Sequence, residues 1–192
     1  MGKKALKPIL KAEEKPKKAA QAAAAKPKPT DEPKKAGNPL DALPPTNFVI
    51  YDFKTLFVNH PDKGGEGHEV MMNMVDREGW SFWFLHYEKV GSEGQVDYMF
   101  QNLLEGFIQR LEGFKKYSFG KFCMLGEQPN LEIKGVLLIR GHSVDVQELI
   151  DHPQFEYMQA RKMDYGNSDD MKKIREYFAS RDGDASCDGA KV

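Results

Sequence analysis

Apolar side chains return every three or four residues from Val96 through Met99, Phe100, Leu103, Leu104, Phe107 and Leu111 to Phe114. That period predicts a long helix over about 95–116, with one face turned to a core. Gly106 and Gly113 interrupt it, each costing about 1 kcal/mol against alanine, which points to close packing at both. Ahead of it, Trp80–Tyr87 (WSFWFLHY) is an aromatic run too short for a helix of its own and reads as a buried strand. Behind it, two apolar runs, 119–125 and 133–140, flank Gly126-Glu127-Gln128-Pro129-Asn130, the signature of a hairpin.

The flanking elements are shorter. Asp52 is placed to cap a helix carrying Phe53, Leu56 and Phe57. After the Gly-rich loop 61–67, Val70, Met71, Met74 and Val75 form a second stripe, with Gly79 as its C-cap. Residues 155–163 read as a further strand. Ser168 caps a last helix whose buried face is Met171, Ile174, Tyr177 and Phe178, with Asp169 and Asp170 favouring the dipole of its first turn. At the other end, Leu40 and Leu43 are expected to dock on the folded part, and Pro44-Pro45 stops any helix there. The order of elements is irregular, with a long helix between a strand and a hairpin. It fits an α+β fold, one compact domain with an antiparallel sheet packed with helices, better than a βαβ repeat.

The pattern fails at both ends. Residues 1–37 have no aromatic residue, prolines at 8, 16, 27, 29 and 33, and only Leu6, Ile9 and Leu10 as large apolar side chains past Met1. So little apolar surface does not offset the roughly 1–2 kcal/mol per residue of backbone ordering. This segment is expected to be a disordered Lys/Ala/Pro-rich linker ahead of a domain at 38–179 and a polar, frayed tail at 180–192. Charge sharpens the division. Residues 1–37 carry eleven lysines against four acidic residues, or +7, while the rest holds 17 basic and 25 acidic residues, or −8. The arm can reach an acidic partner such as RNA or the ribosome through its lysine pairs at 3–4, 17–18 and 34–35. It has no arginine or aromatic residue to fork onto guanine or stack on a base.

Candidate chemistry changes the picture little. Cys123 lies in an apolar run and reads as a small buried hydrophobe, with His142 or His86 its conceivable base had it been a nucleophile. Cys123 and Cys187 make no metal or disulfide pattern, in keeping with a reducing compartment. Histidines 60, 68, 86, 142 and 152 lack ligand spacing, and the loop at 64–67 lacks the order of a phosphate-binding motif. Asp184, Ser186, Asp188 and Gly189 open like a calcium loop, but its closing glutamate would fall past Val192. No catalytic, metal or cofactor constellation is expected. No apolar run approaches the roughly 20 residues of a membrane span. The Lys-rich start lacks the apolar stretch of a secretory signal, and Leu6 stands where myristoylation wants Ser or Thr. A cytoplasmic binding module is the resulting expectation.

Several blocks together are specific. Gly79–Tyr87 resembles the "DGWSLWYxxY" block of the C-terminal domain of translation elongation factor 1-gamma. Similar matches occur at Gly106–Leu111, Gly135–Gly141, Arg161–Asp164 and Arg175–Phe178, and Pro39–Pro44 with Phe48-Val49 looks like that family's "PFAxLPxSxFV". A Lys/Ala/Pro-rich linker ahead of the domain is also typical of the family. The chain departs from the pattern at Ala160 and Leu137, where relatives have Trp, and in its Gly-rich loop at 64–67. The resemblance implies a non-catalytic subunit of the elongation factor 1 complex that supports the guanine-nucleotide-exchange subunits and aminoacyl-tRNA delivery by the GTP-binding alpha subunit. In the family, partner binding is attributed to an N-terminal glutathione-transferase-like domain; this chain reads as linker plus C-terminal domain. Trp80, Trp83, Tyr87, Arg110, Arg140, Arg161 and Lys162 fall in the matching blocks and are candidate partner-binding residues. The alternative for them is a core role for the aromatics and ion pairs with the acidic body for the cations.

Overall fold

The computed structural model describes residues 38–179 and, for the backbone, 188–191; the linker expected at 1–37 lies outside the described residues. Five strands, β1 (Trp80–Tyr87), β2 (Ser118–Leu125), β3 (Glu132–Arg140), β4 (Met158–Lys162) and β5 (Asp188–Lys191), form one sheet in the order β4-β1-β3-β2-β5. Every pairing is antiparallel, with Trp80 opposite Arg140, Ser118 opposite Ile139 and Trp83 opposite Lys162. The α-helices are α1 (Ile50–Asn59), α2 (Glu66–Met74), α3 (Asp97–Arg110), α4 (Gln147–Ile150) and α5 (Ser168–Ala179).

Helices cover both faces of the sheet. On the first face, Phe53 and Phe57 of α1, Met71 and Met72 of α2 and Ile174 and Phe178 of α5 meet Trp80, Phe82, Phe119, Val136 and Leu138. On the second, Phe100, Leu104 and Phe107 of α3 and Leu149 of α4 meet Leu85, Phe122, Ile133, Leu137 and Ile139. Successive strand residues alternate between these cores, so the strands read as unbroken apolar runs. Phe178 is the hub of the first core, with edge contacts to Phe53, Phe57, Phe82 and Phe119 at ring-centre distances of 5.4–6.2 Å.

The α+β class, β1, the 119–140 hairpin and the long helix follow the sequence pattern. The details differ for local reasons. The helical run 95–116 is α3 followed by a 3-10 turn, Leu111–Phe114, which tightens the end while keeping Leu111 and Phe114 buried. Met99, expected in its apolar stripe, is 60% exposed. Gly113 faces open space, and a side chain at Gly106 would meet only the end of Arg110, so neither marks close packing. Close packing occurs instead at Gly135, where a Cβ would stand 2.2 Å from the Phe122 ring. Asp52 lies inside the first turn of α1, which starts at Ile50. Gly79 does not end α2, whose C-cap is Val75, and Met72 replaces the 41%-exposed Val70 in its buried stripe. Asn167, not Ser168, caps α5, its side-chain oxygen accepting from the Asp169 and Asp170 amides. Residues 155–157 are a 3-10 turn, and only 158–162 of that candidate strand are extended.

Two further expectations are corrected. Asp188–Lys191, read as frayed tail, pairs with β2, whose outer edge otherwise carries unpaired backbone groups. Cys123 is fully buried as expected but is disulfide-bonded, and no cysteine is free among the described residues. Spacing rules detect disulfide frameworks, not a single bond closed by the fold, so the reducing-compartment reading loses its ground.

The start of the described chain is tied down by polar contacts. Asn38 donates to Glu148 and, through its side-chain oxygen, accepts from the Leu40 amide. Asp41 accepts from Lys116 at 2.8 Å and from the Tyr117 hydroxyl at 2.9 Å. Leu40 is buried, whereas Leu43 stays exposed. Among the described residues no helix is long and apolar enough to cross a membrane.

Candidate functional site

The residues singled out from the matching blocks do not converge on one site. Trp80 and Arg140, paired across β1 and β3, do meet. The Arg140 guanidinium lies 5.8 Å from the centre of the Trp80 ring, and Phe48 packs edge-on against the same indole at 5.0 Å. Arg140 is buried, and it donates to the Pro44 carbonyl and, at 3.4 Å, to the Gly79 carbonyl. Its charge is therefore spread over two carbonyl dipoles and a π face. Lys162 approaches the same end of the sheet, its ammonium 3.4 Å from Nδ1 of His142, whose Nε2 is 2.8 Å from the Glu78 carbonyl.

Around Arg140 opens a cleft of about 590 Å³ lined by Leu43, Pro44, Pro45, Asp76, Glu78, Gly79, Gly141, His142 and Ser143. Asp76 sits in its wall. A hydrogen bond from Thr46, with help from backbone amides and Arg140, holds its carboxyl below the usual range. Ser143 donates to Asp145 at 3.0 Å and accepts from that residue's amide. The polar groups Arg140, Asp76, His142 and Ser143 are thus each fixed by a protein partner. Such a wall is suited to recognising a partner's polar groups rather than to supplying an activated nucleophile.

The other candidates lie elsewhere. Trp83 packs on the second face and donates from Nε1 to Ser81 Oγ at 2.9 Å. Tyr87 is buried at the far end of β1, about 23 Å from Trp80 at the usual strand rise, and donates to Glu93 at 3.0 Å. Burial, then the bond to Glu93, pushes its hydroxyl pKa up. Arg110 ends α3, bonded to Gln154 at 2.8 Å and the Gly106 carbonyl at 3.1 Å. Arg161 makes a two-pronged bond to the buried Asp170, at 2.6 and 3.1 Å. Among the described residues, only Arg161 of the four cations pairs directly with a carboxylate, in the manner expected of a positive residue on an acidic body.

Asp76, Glu78 and the Pro44 carbonyl had no place in the expectations from sequence, where His142 was weighed as a base for Cys123 and as a metal ligand. Their only signal was position, just ahead of an aromatic strand and just after a strand-ending arginine. The Gly-rich loop at 64–67 does bind an anion, but its own. The Asp62 carboxylate accepts from the amides of Gly64, Gly65 and Glu66 at 2.8–3.2 Å, and these bonds, led by Gly65, hold its pKa down. Among the described residues no group of three or more His, Cys, Asp or Glu side chains is placed to hold a metal ion.

Comparison with known proteins bears on these blocks directly. The family model for elongation factor 1 gamma, conserved domain, matches residues 35–143. The chain belongs to the elongation factor 1 gamma family. It is 33% identical over 160 residues to elongation factor 1-gamma of Prunus avium, covering 83% of this chain and 36% of that protein. It is 34% identical over 194 residues to probable elongation factor 1-gamma 1 of Arabidopsis thaliana, covering 97% and 46%. Against elongation factor 1-gamma of Drosophila melanogaster it is 32% identical over 151 residues, covering 76% and 33%. The chain thus spans between a third and half the length of these relatives. The family match contains β1, α3, the hairpin and Arg140, so the Trp80–Arg140 end of the sheet lies inside it.

Proposed function

We propose that the folded body is a non-catalytic interaction domain of a translation elongation factor 1 subunit. It would act beside the exchange-factor subunits and the GTP-binding alpha subunit. The observation that carries this reading is membership of the elongation factor 1 gamma family. The cleft at the Trp80–Arg140 end supports it: a desolvated arginine held on an indole is the kind of rigid anchor around which interfaces concentrate their energy.

The test uses the full chain with purified exchange-factor and alpha subunits, read by calorimetry. Measurable binding is expected, weakened about tenfold or more by Glu78→Lys, which reverses charge at the cleft rim without touching the core. Absence of binding to every subunit overturns the reading. A second reading, contact with RNA or the ribosome through residues 1–37, is favoured by their +7 charge. It requires that tRNA or ribosome binding fall steeply with salt and vanish when residues 1–37 are removed.

A further inference from the structure

β4 ends the sheet, and its outer edge is open. The Met163 amide donates to the Phe82 carbonyl and the Glu88 amide to the Tyr157 carbonyl, so the odd-numbered residues of this segment face β1. The backbone groups of Met158, Ala160 and Lys162 therefore point the other way, out of the sheet. The Met158 amide turns back to the Phe155 carbonyl. Among the described residues nothing bonds the amides of Ala160 and Lys162 or the carbonyls of Met158, Ala160 and Lys162. We propose that this edge takes an extended segment of a partner protein as a further strand, one with an acidic side chain where it passes Lys162.

The edge is accessible. Gln159, Arg161 and Lys162 are exposed, and the methyl of Ala160 between them is too short to stand in the way of an incoming backbone. Neither a proline nor a bulge interrupts β4, the devices that commonly close an edge. An antiparallel strand centred on Ala160 would exchange both hydrogen bonds of a close pair there and meet the Lys162 amide with a carbonyl. Each such bond is modest in water, so the signs of the side chains decide which segment pairs.

Those signs differ along the strand. The Lys162 ammonium has His142 at 3.4 Å and, among the described residues, no carboxylate partner. Arg161 beside it is half-exposed but committed to Asp170. At the other end Glu88 accepts from the Gln159 amide group. The edge is thus positive where it passes Lys162, on a body that is acidic as a whole. A cation on an edge disfavours a like strand and admits an acidic one. A second copy of this chain, paired antiparallel about Ala160, would set the two Arg161 side chains diagonally on one face, where like charges repel. An acidic segment of another protein meets no such penalty, and it supplies Lys162 with the carboxylate it lacks.

The test titrates the isotope-labelled full chain with a short peptide of alternating glutamate and valine and, separately, with its lysine counterpart. Amide NMR shifts and hydrogen exchange read the edge. In the free chain the Ala160 and Lys162 amides should exchange about tenfold or more faster than those of Arg161 and Met163, which bond to β1. The glutamate peptide should shift both amides saturably and slow their exchange about tenfold or more, and the lysine peptide should bind more weakly by a similar factor. Ala160→Pro removes an outward donor and leaves the bonds to β1 in place, so binding should be lost while circular dichroism shows the fold kept. Lys162→Glu should reverse the preference between the two peptides. Ala160 and Lys162 amides that stay unshifted and fast-exchanging in millimolar glutamate peptide, an equal response to both peptides, or a response unchanged in both variants overturns the proposal. So does protection of these amides in the free chain with sedimentation that quickens as concentration rises, which marks a second copy as the occupant.

Discussion

Asp170 shows how much one side chain can organise here. It is 5% exposed, yet charged, because Arg161 grips both carboxylate oxygens and the Asp164 amide adds a third bond. The Arg161 bonds lead in holding its pKa below 3.8. A carboxyl depressed in the folded state stabilises that state above the ordinary value, and the contribution is lost as pH falls through the lower, folded one. Asp170→Asn should therefore cost about 1.5–3 kcal/mol at pH 7, the range for hydrogen bonds to a charged group. The gap to the unchanged protein, measured by urea unfolding, should close as pH drops below 3.8. A constant gap across that range would mean that packing, not charge, is what the variant lost. Nothing in Ser168-Asp169-Asp170 distinguished this role. Both aspartates were read as dipole partners, and only the fold brings Arg161 to one of them.

At the scale of elements, the legible parts were those whose periodicity is decided by burial. β1, the hairpin and α3 each repeat their apolar residues often enough to declare their period. Helix ends were not legible, because a cap depends on which oxygen reaches which amide. Asn167 reaches where Ser168 was expected to, whereas no side chain caps α1, where Asp52 was expected to, and Asp62 instead bonds the amides ahead of α2. Glycine shows the same limit: the sequence marks its presence, not what stands opposite. Gly135→Ala should destabilise the β2–β3 pair by about 1–3 kcal/mol, since the new Cβ would overlap the Phe122 ring. Gly113→Ala, facing open space, should be neutral or stabilise by up to about 1 kcal/mol. Thermal unfolding of the two variants checks both, and equal shifts would contradict the packing described.

Across the whole molecule, one sheet serves two cores, and the two tryptophans report one each. Trp80 lies in the first core and Trp83 packs against the second, three residues apart on the same strand. Because β1, β2 and β3 each carry residues of both cores, neither can dissolve while the other stays intact. Single-tryptophan variants Trp80→Phe and Trp83→Phe should show coincident fluorescence midpoints in urea, after correction for each variant's own stability by circular dichroism. Separate midpoints would show two cooperative units. The site was the least legible part at this scale. Matching blocks flagged seven residues, but the strand register and the Pro44 turn bring only Trp80, Arg140 and, through His142, Lys162 to one place.

The polar ties at the start of the domain have a mechanical meaning. A pull entering at residue 38 is borne first by Asn38 on Glu148, then by Asp41 on Lys116 and Tyr117, and then by Arg140 gripping the Pro44 carbonyl. None of these groups is a ladder hydrogen bond of the sheet. Load from anything tethered ahead of the domain would yield side-chain ties one after another before it broke a backbone bond of the sheet, as a fuse yields before a circuit.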